Sequence, residues 1–152
     1  FYESTGLNRH STLRRVEIAS GKVLQQHKVA DEYFAEGLAL VGDQLLQLTW
    51  QHRKGFVYDR KTFAQKGTFN YKSEGWGIAY DGASRLVMSD GSDTLTFLDP
   101  KTLAPIKTLR VADAGASGCR SPKPGSRAIF SFKRGLCFMV QEPSGYRPES
   151  IA

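Results

Sequence analysis

Glu36-Gly37-Leu38-Ala39-Leu40, Gly42-Asp43 and Leu45-Leu46-Gln47-Leu48-Thr49 come back forty residues later as Trp76-Gly77-Ile78-Ala79-Tyr80, Asp81-Gly82 and Arg85-Leu86-Val87-Met88-Ser89. A second unit alternates with this one. Leu13 to Glu17 with Gly21 to Leu24, Phe56 to Asp59 with Lys66 to Phe69, and Leu95 to Asp99 with Ile106 to Leu109 each read as strand, acidic turn, strand. Their anchors Glu17, Asp59 and Asp99 are 42 and 40 residues apart. Each period therefore holds four short strands divided by Gly, Asp, Asn and Pro turns, and no stretch of about ten residues keeps an uninterrupted helical rhythm. Self-similarity at about 40–45 residues with four strands per period is the pattern of a β-propeller blade. An evenly spaced sandwich is the rival, but it does not require self-similarity at this offset. The expectation is an all-β chain whose residues 1–113 form about two and a half blades of a β-propeller.

Residues 114–152 do not continue the repeat. Gly115, Gly118, Pro122, Pro124 and Gly125 read as a loop, and Pro143 and Pro148 break the end. Two apolar runs, Ala128 to Phe132 and Leu136 to Val140, are expected to pair as a hairpin around Lys133-Arg134-Gly135. The expected organisation is a partial propeller over 1–113 followed by a divergent, loop-rich tail over 114–152.

Composition narrows the function classes. A chain of 152 residues with 40% hydrophobic and 24% charged content suits one globular unit. No apolar run approaches the ~18 residues of a spanning helix, so no membrane partner is expected. Twenty-one basic against fifteen acidic residues leave a net charge of +6. The basic residues are scattered in pairs such as Arg14-Arg15, Arg53-Lys54, Arg60-Lys61 and Lys133-Arg134, so nucleic acid is not an expected partner. Cys119 and Cys137 do not make a zinc set with His10, His27 and His52, and no metal or other cofactor is expected. The chain opens on Phe1-Tyr2-Glu3 without a leader pattern, which suggests a processed chain or a part of a longer one.

In a propeller the first strand of every blade lines the central channel, so Glu36 and Trp76 should point toward the same opening. Phe34, Trp50 and Glu74 lie around them. A carboxylate among aromatic rings is a candidate general acid or base, because desolvation raises its pKa toward the working pH. Indole adds a flat apolar wall and one N–H donor. The plainer alternative is tryptophan as core filling and glutamate as a solvated turn residue. Asp90-Gly91-Ser92-Asp93 reads as a turn before it reads as a calcium loop, since it lacks the terminal glutamate and spacing of such loops.

Phe1 to Leu7 and Ser11 to Val16 closely resemble the plant and bacterial type of glutaminyl cyclase, the glutaminyl-peptide cyclotransferases. So do Tyr33-Phe34-Ala35-Glu36-Gly37-Leu38-Ala39, Gln47-Leu48-Thr49-Trp50, Phe56 to Asp59, Glu74-Gly75-Trp76-Gly77 and Met88 to Ser92, in order over residues 1–113. The resemblance implies a five-bladed propeller that converts the N-terminal glutamine of peptides or proteins to pyroglutamate with release of ammonia. It implies Glu36 as the proton shuttle, Phe34, Trp50 and Trp76 as the substrate-binding walls, no zinc, and a periplasmic or secreted location. The family's Leu-Asn-Glu-Leu-Glu and Asn-Val-Trp segments have no counterpart after Asp113, so the chain is expected to correspond to the first half of such an enzyme. Two readings stay open at this point: a cyclase, or a truncated, non-catalytic propeller unit acting as an interaction module or without activity. The second predicts homo-oligomers formed through open blade edges.

Overall fold

The chain divides into two units, Phe1–Ala112 and Asp113–Ala152. A computed structural model describes residues 1–111 and, further on, the strands Phe132–Lys133 and Leu136–Cys137. The first unit is three antiparallel meanders in succession. Strands β1 (Tyr2–Thr5), β2 (Thr12–Val16) and β3 (Val23–Lys28) form a three-stranded sheet. Strands β4 (Ala35–Val41), β5 (Gln44–Thr49), β6 (Lys54–Asp59) and β7 (Gln65–Asn70) form the second sheet. The third holds β8 (Gly77–Tyr80), β9 (Leu86–Ser89), β10 (Thr94–Leu98) and β11 (Pro105–Arg110). These are successive propeller blades. The repeat aligns β4 with β8 as inner strands, and the three strands of the first sheet with β5–β6–β7.

One turn chemistry makes the outer hairpin of every blade. Asp59 Oδ1 accepts from the N–H groups of Lys61 and Thr62 and from Thr62 Oγ1, while Phe63 N–H bonds back to the Asp59 carbonyl. Asp99 repeats the pattern with Lys101, Thr102 and Leu103. Glu17 does so in outline, with Gly21 N–H on its carbonyl. The residue closing each turn is left-handed, at φ 59° for Phe63, 58° for Leu103 and 69° for Gly21. Glycine takes that conformation freely, whereas a side chain there costs about 1–2 kcal/mol. Phe63 offsets the cost by burial, at 3% exposure in the core between the first two sheets. Gly21, expected in a strand, is thus the turn residue, and β3 begins at Val23.

The middle sheet is covered on both sides, which explains why Leu45-Leu46-Gln47-Leu48-Thr49 lacks polar alternation: all five residues are buried. Successive side chains still point to opposite faces. Leu45 joins Leu13, Val29, Phe56, Tyr58 and Phe63 on the side of the first sheet. Leu46 and Leu48 join Val57, Phe69, Ile78, Leu86, Met88 and Leu98 on the side of the third. Gln47 faces the first sheet, where its Nε2 donates to Ser4 Oγ at 2.8 Å. A sandwich would bury one face of each sheet; this arrangement buries two faces of the middle one.

In the second unit, Phe132–Lys133 (β12) pairs antiparallel with Leu136–Cys137 (β13), joining Phe132 to Cys137 and Lys133 to Leu136. The remainder of the expected hairpin, the loop over 115–125, Cys119, Pro143 and Pro148 lie outside the described residues. No helix among the described residues is long and apolar enough to cross a membrane.

Candidate active site

The site forms where the inner strands β4 and β8 begin. Ser11, 1% exposed, holds the entry to β4: its Oγ accepts the Ala35 N–H at 3.0 Å and donates to the Leu7 carbonyl at 3.0 Å. Pairing with β5 then slips. Ala35 faces Thr49 and Leu38 faces Gln47, so Glu36 and Gly37 together stand opposite Leu48. This is a β-bulge, a device that re-aims the side chain carried on it. Glu36 is half-buried on that bulge. Gly37 is there because β8 comes close: a Cβ on it would lie 2.7 Å from the Ile78 amide nitrogen and 2.9 Å from Gly77 Cα.

Phe34, Trp50 and Trp76 flank the ends of β4, β5 and β8. Trp50 leaves β5 at the turn to β6, and its amide donates to the Phe34 carbonyl at 2.9 Å. The Phe34 and Trp50 rings meet edge to face, with centroids 5.8 Å apart and planes at 68°. Trp76 precedes β8, with its amide on the Ser89 carbonyl at 3.0 Å. Its ring lies over Gly91, which sits at φ 84° and whose added Cβ would fall 2.6 Å from Cη2 and Cζ2. Trp50 is 36% exposed, so part of its ring faces solvent.

Sequence reading placed both tryptophans near a carboxylate. The carboxylate that both indoles engage is Glu74, whose Oε2 accepts Trp50 Nε1–H at 2.7 Å and Trp76 Nε1–H at 2.8 Å. The Trp76 and Trp50 donors hold the Glu74 carboxyl below its usual value, with help from the Gln51 side chain, against partial desolvation and the charge of Asp90. Glu74 therefore stays ionised and is a poor proton donor. Glu36 lies two residues beyond Phe34, on β4, which begins at Ala35.

Tyr71 was not singled out by sequence reading, yet it ties the two Trp-bearing segments together. Its hydroxyl accepts the Thr49 N–H at 2.9 Å and lies 2.6 Å from the Thr49 carbonyl and 2.9 Å from that of Lys54. The Trp50 carbonyl in turn accepts the Gly75 N–H at 2.9 Å. Aromatic character alone gave no signal of this; a lone tyrosine at a strand end reads as core. A groove of about 400 Å3 lined by Val41, Tyr80 and Asp99–Lys101 opens at the far end of β4 and contains none of the site residues.

The other candidates are occupied structurally. Asp90 Oδ1 accepts from Ser92 N–H and Oγ, which is turn chemistry, and Asp93 pairs with Arg110 on β11. His27 packs at a tilt against Tyr58 and His52 meets Tyr33 edge on. Among the described residues no group of three His, Cys, Asp or Glu side chains could hold a metal ion.

The glutamine cyclotransferase family model matches residues 1–119. Glutaminyl-peptide cyclotransferase of Arabidopsis thaliana is 41% identical over 103 residues, covering 67% of this chain and 32% of that protein. The crystal structure of Myxococcus xanthus glutaminyl cyclase superposes with a TM-score of 0.65 at 33% identity, over 74% of this chain and 47% of that one. The WD40 domain of Neurospora crassa Pan2, 12% identical, superposes at 0.57 over 71% of this chain and 35% of its own, a likeness of fold alone. The chain thus spans about a third of its plant relative and about half of the bacterial one. With the family pattern running through every strand that builds the site, the chain belongs to the glutamine cyclotransferase family.

Proposed function

We propose that this chain carries the site of a glutaminyl-peptide cyclotransferase, with Glu36 as proton shuttle and Phe34, Trp50 and Trp76 as the walls around the glutamine side chain. The observation that supports this reading is the bulge carrying Glu36, two residues after Phe34, whose ring meets Trp50 edge to face. The α-amine of the N-terminal glutamine attacks its own γ-carboxamide carbon, forming the ring C–N bond. Glu36 takes a proton from that amine and returns it to the amide nitrogen. The C–N bond to that nitrogen then breaks and ammonia leaves. One carboxylate between two nitrogens serves both transfers, and such transfers contribute typically about 10²–10⁴ in rate. Aromatic walls that keep the side chain curled supply proximity.

The test is ammonia release from a glutamine-initiated peptide by the wild-type chain and by Glu36→Gln. Wild-type release that falls at least about 100-fold in the variant, with an unchanged β-sheet circular dichroism spectrum, supports the shuttle. Equal release by both sinks it. A second reading, an interaction module without turnover, draws on β11, exposed along its length with Ile106 and Leu109 more than half open. Folded chain that releases no ammonia but self-associates as its concentration rises would favour that reading.

A further inference from the structure

We propose that Glu74 is the positioning residue of this site: it clamps the indoles of Trp50 and Trp76 into one rigid wall by accepting both N–H groups on a single carboxylate oxygen. The inference rests on the glutamine-pocket reading above, and it deepens it by assigning the group that fixes the pocket's shape.

The two tryptophans come from different sheets, Trp50 from the end of β5 and Trp76 from the approach to β8. Nothing in the backbone of either sheet fixes the rotation of an indole in the other. A shared acceptor does. At 2.7 and 2.8 Å both bonds are at the short end for N–H donors, as expected when the acceptor is charged. The segment bearing Glu74 is itself held just after that residue, by the Gly75 N–H on the Trp50 carbonyl and by the Trp76 amide on the Ser89 carbonyl. Trp76 is further confined from behind by Gly91. Exchange of Trp50 for a different rotamer would leave one acceptor bond unmade and open a gap beside Phe34, whose ring it meets edge to face. A carboxylate that binds two donors on one oxygen is spent on geometry, and the proton traffic falls to Glu36.

The composition makes the clamp directly observable, because Trp50 and Trp76 are the only two tryptophans in the chain. An amide proton–nitrogen spectrum of the full chain should show two indole N–H signals, both displaced toward strong hydrogen bonding. In Glu74→Ala both should move toward the values of exposed indole together. In Glu74→Gln, which keeps an acceptor oxygen and drops the charge, both should stay closer to wild type. If either indole signal keeps its wild-type position in Glu74→Ala, the clamp is refuted. The ligand arm uses a glutamine-initiated peptide titrated against the same spectra. Its dissociation constant should rise roughly 10-fold in Glu74→Ala and be largely restored in Glu74→Gln, since two indoles no longer held in place must be ordered on binding. Peptide affinity unchanged by Glu74→Ala, with both indoles displaced, would overturn the positioning role. Wild type that binds no peptide while Glu74→Ala still displaces both indoles would instead remove the cyclase reading and leave the clamp standing.

Discussion

Replacing Tyr71 by Phe removes one oxygen atom and leaves the ring in place. Tyr71 is 8% exposed, and burial pushes its hydroxyl pKa up. The oxygen accepts the Thr49 N–H, and its proton is directed at the Thr49 carbonyl, the nearer of two at 2.6 and 2.9 Å. Thr49 is wholly buried, so in Tyr71→Phe its N–H loses its partner without gaining water. A buried donor stranded in this way costs about 1–3 kcal/mol, and about 2 kcal/mol is the central expectation. With a urea m-value of about 1.5 kcal/mol/M for a chain of this size, the unfolding midpoint should fall by about 1.3 M at unchanged slope. The thermal midpoint should drop by about 6–8 °C. Tyr80→Phe is the control, since its hydroxyl donates to the Ala83 carbonyl at 3.0 Å in an exposed turn and should shift stability by no more than about 0.5 kcal/mol. Urea unfolding of the two variants side by side decides the matter. Equal midpoints would refute the reasoning, because they would mean that the Thr49 amide finds another acceptor or reaches water.

Beyond the Glu36 and Glu74 substitutions, two further outcomes are expected. Gly91→Ala should destabilise the chain by about 1–3 kcal/mol, combining left-handed strain with overpacking against the Trp76 ring, and should displace the Trp76 indole signal most, with that of Trp50 following less far through their shared acceptor Glu74; an unmoved Trp76 signal would contradict it. Stability should decline in two stages on acidification. Desolvation lowers the His27 pKa from 6.5, so the unfolded chain takes up that proton first and stability falls as pH drops below about 6.5. Asp59, Asp81 and Asp99 are depressed by turn N–H donors, burial opposing them, most visibly at Asp81, so their contribution is complete above about pH 4 and is lost below it. Urea midpoints across pH 3–8 test both stages, and a slope between pH 6.5 and 5 that survives in His27→Gln would rule out His27 as its source.

Much of the fold was legible because propeller blades repeat. The return of Glu36–Thr49 as Trp76–Ser89 and the acidic anchors at Glu17, Asp59 and Asp99 reflect local rules: short strands divided by turns, and a carboxylate capping its own turn within a few residues. Family-like motifs likewise marked Phe34, Glu36, Trp50 and Trp76 as candidates from short windows of sequence. What stayed hidden was whatever depends on a neighbour in another sheet. The burial of all of Leu45–Thr49 follows from sheets on both sides, and no local pattern reports a second cover. Gly91 reads as a turn glycine, and only the arrival of Trp76 above it shows why a side chain is excluded. Glu74 was visible as a nearby residue, but its role was not, because that role is a meeting of Trp50 from β5 with Trp76 beside β8 on one oxygen. Turn and strand propensities act over a few residues and are written in the sequence. Shared acceptors, close approaches and two-sided burial are made by segments well separated in the sequence, and only tertiary packing decides which of them come into contact.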